Sequence, residues 1–240
     1  IIASKVFFNE GGLSKEAIKR EIDQSLLRLG TDYLDLYLIH RFDYNIPIEE
    51  TMDALNDLVK SGKVRSLGSS SILAYQMLMY QNLAKEKGYA RFEVMENHYN
   101  LLYREEERGM IPLCKELDVS LIPYSPLAAG HLARINWDSD SIRSLSDDVA
   151  KRRYGASEDV DKLIIERVAE LAKKRNIKMS EVALSWLYKK GVASPIIGAS
   201  KTKYIDDAIN ALDIELNDEE VAYLEELYVP HPLKGPIIKN

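Results

Sequence analysis

Short apolar runs alternate along the chain with longer stretches in which apolar residues recur every three or four positions. The opening run, Ile1 to Phe8, is interrupted by Lys5 and reads as a strand rich in Ile and Val with Phe. Beyond it, Leu13 and Ser14 begin a helical stretch. Ile18, Ile22, Leu26 and Leu29 repeat there at helical spacing, and Gly30 closes it as a C-cap. The same alternation continues. Strands are expected at 33–40, 64–68, 92–96, 119–124 and 194–199. Helices are expected at 47–62, 73–88, 105–118, 159–176, 179–191, 204–212 and 217–228, with Asn217 capping the last. A polar stretch occupies roughly 133–157. Strand and helix in repeated turn mean a parallel sheet with covering helices.

All six strands carry polar or reactive groups at or near their C-terminal ends. They are Lys5, then His40, then Ser69 to Ser71, then Glu96 with Asn97 and His98, then Tyr124 with Ser125, then Gly198 with Ser200 and Lys201. An open doubly wound sheet concentrates its chemistry at one switch point. A barrel gathers all strand ends on one rim. The six-fold pattern favours the barrel, although every strand must leave the sheet through a polar loop, so the open sheet stays an alternative at this level. Lys5 and His40 end neighbouring strands, and together they suit chemistry at a carbonyl oxygen. A lysine stabilises the anion of a neighbouring acid, and a histidine donates a hydrogen bond. Tyr124 offers a ring for stacking. Small residues, a hydroxyl and Lys201 ahead of a helix resemble an anion site.

Composition narrows the function classes. A chain of 240 residues that is 46% apolar buries a sizeable core. A net charge of -6 argues against nucleic acid, and no run of about 18 apolar residues suggests a membrane span. The single cysteine, Cys114, reads as a buried thiol on a helix face, and four scattered histidines give no structural zinc pattern. A cytoplasmic, metal-free protein is the expectation.

Five segments, "LGTDYLDLYLIHRFD", "PIEETMDALNDLVKSGKVRSLGSSS", "NHYNLLYREEER", "PYSPLAAGHL" and "SPIIGASKTKYIDDAINAL", resemble the aldo-keto reductases. The likeness is strongest to the aryl-alcohol-dehydrogenase-like and potassium channel β-subunit-like branch, in order and at family spacing from Lys5 to about Tyr228. The resemblance implies an α/β fold of the (β/α)8 TIM-barrel type as a single domain, with a C-terminal tail from about residue 229. It also implies NADP(H)-dependent reduction of aldehydes and ketones, a small carbonyl substrate, and no nucleic-acid or membrane partner. A homo-oligomer stays open.

Matched position by position, the resemblance makes Lys5 the lysine that tunes a tyrosine acid and His40 the histidine that orients the carbonyl. Ser70 and Ser71 fall near the nicotinamide amide, Ser71 replacing the more usual asparagine. Glu96 stands where a glutamine usually holds that amide. Tyr124 matches the ring that stacks on the nicotinamide, and Ser125 and Leu127 line the pyrophosphate. Gly198, Ser200 and Lys201 surround the 2′-phosphate, and Asp207 lies at the adenine end. The family's aspartate and tyrosine come from two βα units ahead of the lysine strand, so the expectation is a chain lacking those units and half of the catalytic tetrad. The alternative is a weakly active or inactive NADP-binding subunit, or a truncated fragment.

Overall fold

The structure, a computed structural model, describes residues 1–136 and 153–238. Most of the polar stretch expected at 133–157 therefore lies outside the described residues. The chain has an α/β fold whose parallel strands and covering helices are consistent with a (β/α)8 barrel. It divides into two compact units, the first comprising Ile1–Asn97, Arg108–Ser120 and a short C-terminal piece from Gly235, the second His98–Glu107 and Leu121–Lys234.

The first unit alternates β1 (Ala3–Val6), α1 (Lys15–Leu29), β2 (Leu34–Ile39), α2 (Ile48–Lys60), β3 (Val64–Ser70), α3 (Ala74–Lys87) and β4 (Phe92–Glu96), followed by α4 (Met110–Glu116) and the two-residue β5 (Ser120–Leu121). The sheet order is β1-β2-β3-β4-β5, and the first four strands pair in parallel. Helix α1 starts where the Ser14 hydroxyl accepts the Ala17 amide at 3.3 Å, and ends on Gly30 in the left-handed region. Ile18, Ile22 and Leu26 are buried, whereas Leu29, in the last turn, is half exposed. Cys114 is buried on α4. The single helix expected over 105–118 is broken, because Gly109 leaves the helical region (φ -155°, ψ -55°) and separates a 3-10 turn, Glu105–Arg108, from α4.

The loop after β2 is tied to the residues that lead into α1. Asp43 is buried and accepts the Leu13 amide at 3.0 Å and the Asn45 amide at 2.9 Å. Gly12, at φ +54°, passes so close that a Cβ would lie 2.2 Å from Asp43 Oδ2. Glycine is required there by both the backbone angle and the space.

In the second unit, α5 (Glu158–Arg175), α6 (Met179–Lys189), α7 (Thr202–Asn210) and α8 (Asp218–Glu225) surround a core centred on Trp186. Helix α8 carries the expected cap, with Asn217 Oδ1 accepting the Glu220 amide at 2.9 Å and the Glu220 carboxylate accepting the Asn217 amide at 3.0 Å. Trp186 Nε1 donates to Glu225 at 2.8 Å, and Arg104 bridges Glu107 and Glu225 at 2.8 Å each. Glu106, beside this pairing, is buried, and burial with the neighbouring Glu105 charge pushes its carboxyl up to about 7. The strand expected at 194–199 contracts to one bridge, in which Ile196 pairs with Tyr124. Pro123 and Pro195 lack the N–H that a longer ladder needs. Among the described residues no helix is long and apolar enough to cross a membrane.

Candidate active site

In the first unit, the register aligns Lys5 with Leu38, Leu38 with Gly68, and Gly68 with Val94. Glu96 lies two residues beyond Val94, so it shares the face of Lys5. The Lys5 ammonium donates to Glu96 Oε1, an ion pair with 31% of the lysine side chain and 4% of the glutamate side chain exposed. In a flat sheet, three strand steps of about 4.8 Å would separate the two strands by about 14 Å. Side chains stand roughly perpendicular to a sheet, so in a flat one neither the lysine nor the glutamate would extend along it to close that gap. The pair therefore requires a sheet rolled strongly toward this face, the curvature of a barrel wall.

Around this pair, Ser70 sits opposite Glu96 in register, and the Ser71 amide donates to the Glu96 carbonyl at 3.0 Å. The buried hydroxyls of Ser70 and Ser71 lie 3.5 Å apart, with Ser71 in the left-handed region at φ 48°. His40 follows β2 and is partly exposed. Burial, reinforced by the charges of Arg41 and Lys5, lowers its pKa to about 4, so the ring is neutral at pH 7. Phe8 meets the imidazole edge-on, with centroids 4.9 Å apart. Asn97 is fully buried at the end of β4, and among the described residues neither atom of its amide has a hydrogen-bond partner.

In the second unit, Tyr124 belongs to a ladder of rings. His98 lies parallel to it (5.3 Å, 8°), and Tyr103 lies parallel to His98 (4.2 Å, 13°). The His98 Nε2 is 2.7 Å from the Tyr154 hydroxyl, and Asn100 donates to that hydroxyl at 3.1 Å and to the Ser125 carbonyl at 2.8 Å. Burial, with the charges of Arg153, Lys234 and His231 adding, holds His98 well below its usual pKa. The Tyr103 phenol accepts the Lys234 amide at 2.8 Å and donates to the Lys234 carbonyl at 3.2 Å. Ser125 takes a left-handed conformation (φ 55°), and the Leu127 carbonyl accepts the Gly130 amide at 2.8 Å. Arg153 donates from Nη1 toward Ser125 Oγ at 3.4 Å, and its guanidinium lies 5.0 Å from the Tyr124 ring centre.

Gly198, Ser200 and Lys201 are exposed, with Lys201 immediately preceding α7. Asp207 is buried on α7 and ion-paired with Lys178. Thus Lys5, Glu96, Ser70 and Ser71 come together in one unit, with His40 ending the strand beside Lys5. Tyr124, Ser125 and Leu127 come together in the other, while Asp207 is engaged by Lys178. Sequence reasoning missed Arg153, Asn100 and Tyr154. Arg153 and Tyr154 fall at the end of the polar stretch, where no periodicity marks them.

A profile of the Aldo/keto reductase family matches residues 1–229. The chain is 51% identical over 233 residues to an aldo-keto reductase of Fusarium vanettenii, covering 97% of this chain and 62% of that protein. It is 46% identical over 233 residues to the aldo-keto reductase dtxS3 of Metarhizium robertsii, again 97% and 62%. It is 44% identical over 230 residues to a versiconal hemiacetal acetate reductase of Aspergillus parasiticus, covering 94% and 67%. The chain spans about three-fifths of the length of the first two relatives.

Proposed function

Because the chain belongs to the aldo/keto reductase family, we propose that it serves an NADP(H)-dependent oxidoreductase that reduces aldehydes and ketones to alcohols. The observation that carries this reading is the pairing of Lys5 with Glu96 at the ends of strands beside a neutral His40. His40 donates a hydrogen bond to the substrate carbonyl and orients it. As negative charge grows on that oxygen the bond strengthens, which favours the transition state over the ground state. Lys5 supplies the positive charge that stabilises the anion of a neighbouring acid.

The cofactor, when bound, supplies the hydride. Ser70 and Ser71 offer hydroxyls to the nicotinamide amide, Tyr124 offers its ring, and Ser125 and Leu127 line the pyrophosphate. Gly198, Ser200 and Lys201 take the 2′-phosphate, which favours NADP over NAD. The donor set fits a dinucleotide in these respects. Glu96 fits less well, since a carboxylate accepts from the nicotinamide amide but does not donate to it, and its Oε1 is already held by Lys5.

The Lys5–Glu96 pair has no net charge and His40 adds none at pH 7. A neutral carbonyl compound, such as an aromatic or small aliphatic aldehyde, is the matching substrate class. We place the protein in the cytoplasm. The same Lys5–Glu96 pair supports a second reading, an NADP-binding protein with weak turnover. NADPH oxidation with aromatic aldehydes, measured on the longest polypeptide containing this chain, decides between them. Lys5→Ala and His40→Ala should each lower turnover by about a hundredfold or more, as expected for acid–base and positioning groups. Turnover unchanged by both substitutions would overturn the role assignment, and cofactor binding without turnover would favour the second reading.

A further inference from the structure

Lys5 and Glu96 form an ion pair whose two ends are unequally buried. The glutamate side chain is 4% exposed and the lysine side chain 31%. A ligand arriving at the strand ends therefore meets the ammonium, a donor, before the carboxylate, an acceptor. Glu96 Oε1 accepts from Lys5. The Glu96 main chain is fixed as well, its carbonyl accepting the Ser71 amide at 3.0 Å. Among the described residues no other carboxylate is ion-paired with Lys5. The Lys5 charge also reaches His40, where, after burial and the charge of Arg41, it helps keep the imidazole neutral.

A buried carboxylate that gives up its cation is left uncompensated, which is costly. A neutral amide N–H2 offers only a dipole in exchange for a full charge. Exchange of Lys5 for a carboxamide at Glu96 is therefore unfavourable, and Glu96 stays with the lysine. A glutamine at this position would be under no such constraint, because it both accepts and donates and has no charge to neutralise.

We infer that Glu96 is a positioning residue for Lys5 and not a reader of the cofactor's carboxamide, so that the site does not distinguish a nicotinamide from a ring bearing a carbonyl without the NH2. The role at Lys5 stands apart from the cofactor reading above, whereas the role toward the carboxamide rests on it. Position 96 thereby exchanges the cofactor contact that the family resemblance implies for a lysine partner. The exposed donor of the pair suits a carbonyl oxygen and offers nothing to an NH2 group.

The test has two arms, both on the longest polypeptide that contains this chain. The first needs no cofactor. Acetylation of Lys5 by limiting acetic anhydride is followed by peptide mass spectrometry, relative to the exposed Lys87. Glu96→Gln should speed it by about tenfold, since an opposite charge in contact holds an amine in its unreactive charged form. Glu96→Asp, which keeps the charge, should stay close to the parent, and an unchanged circular dichroism spectrum excludes misfolding. Equal rates in the parent and Glu96→Gln overturn the inference. The second arm is calorimetric titration with NADP+ and with its 3-acetylpyridine analogue, in which a methyl group replaces the NH2. The parent should bind the two within about twofold, and Glu96→Gln should favour NADP+ by about fivefold, the worth of one neutral hydrogen bond. A parent preference for NADP+ equal to or greater than that of Glu96→Gln overturns the inference. If neither dinucleotide binds, the cofactor reading falls and takes the carboxamide role with it, while the labelling rates still decide whether Glu96 positions Lys5.

Discussion

Replacing Glu106 by glutamine should make the protein more stable at pH 8 and leave it nearly unchanged at pH 4. Glu106 is 7% exposed, and burial, followed by the charge of Glu105, raises its pKa from 4.5 to about 7. The unfolded chain releases this proton near 4.5, whereas the folded chain keeps it until about 7. Between those values the folded state binds more protons, so stability falls as pH rises and the loss is complete above about pH 7. A difference of about 2.5 pKa units corresponds to about 3 kcal/mol. Glutamine has nearly the same shape and no charge to bury, so it escapes this cost. Urea unfolding followed by tryptophan fluorescence, at pH 4 and pH 8, measures both values. The expected gain for Glu106→Gln is about 2–3 kcal/mol at pH 8 and close to zero at pH 4. A gain of equal size at both pH values, or a loss at pH 8, would refute the argument that a buried carboxyl is being forced to ionise.

Two further outcomes follow from other sites. In an NMR titration, the His40 ring should protonate near pH 4 and stay neutral from pH 5 to 8. Because its folded pKa is depressed, its contribution to stability is present above about 6.5 and is lost as pH falls toward 4; a midpoint near 6.5 in the folded protein would contradict its desolvation. Gly12→Ala should cost about 2–3 kcal/mol, since it meets both the left-handed backbone and the Asp43 carboxylate; a midpoint of unfolding within a few tenths of the parent would show that the loop relaxes freely.

The first unit was largely legible from residue pattern. Caps and periodicity marked α1 through α3, and a lysine inside an apolar strand pointed to a site at once. What pattern does not carry is the partner of that lysine. Glu96 is 91 positions away, and only the rolling of the sheet brings it within reach. Likewise, the strand expected at 194–199 looked regular in its apolar residues, yet the proline beside Ile196 limits its pairing to a single bridge. The family resemblance placed Asp207 at a cofactor, but nothing in its neighbourhood of sequence announces Lys178, which stands 29 residues earlier and pairs with it. The ring ladder was hidden for the same reason, because Tyr103, His98 and Tyr124 are ordered by stacking and not by spacing.

That ladder has a consequence for how the C-terminal segment can drift in sequence. Tyr103 is gripped through the main chain of Lys234, both amide and carbonyl, while the Lys234 side chain points its charge at Arg153. Position 234 therefore obeys two separate constraints. Almost any residue there preserves the ring stack, proline alone being barred because it lacks the amide hydrogen, whereas only a long cation preserves the second charge. Substitutions at one residue can thus retune the electrostatics of the Ser125 region while leaving the plane of Tyr124 where it was.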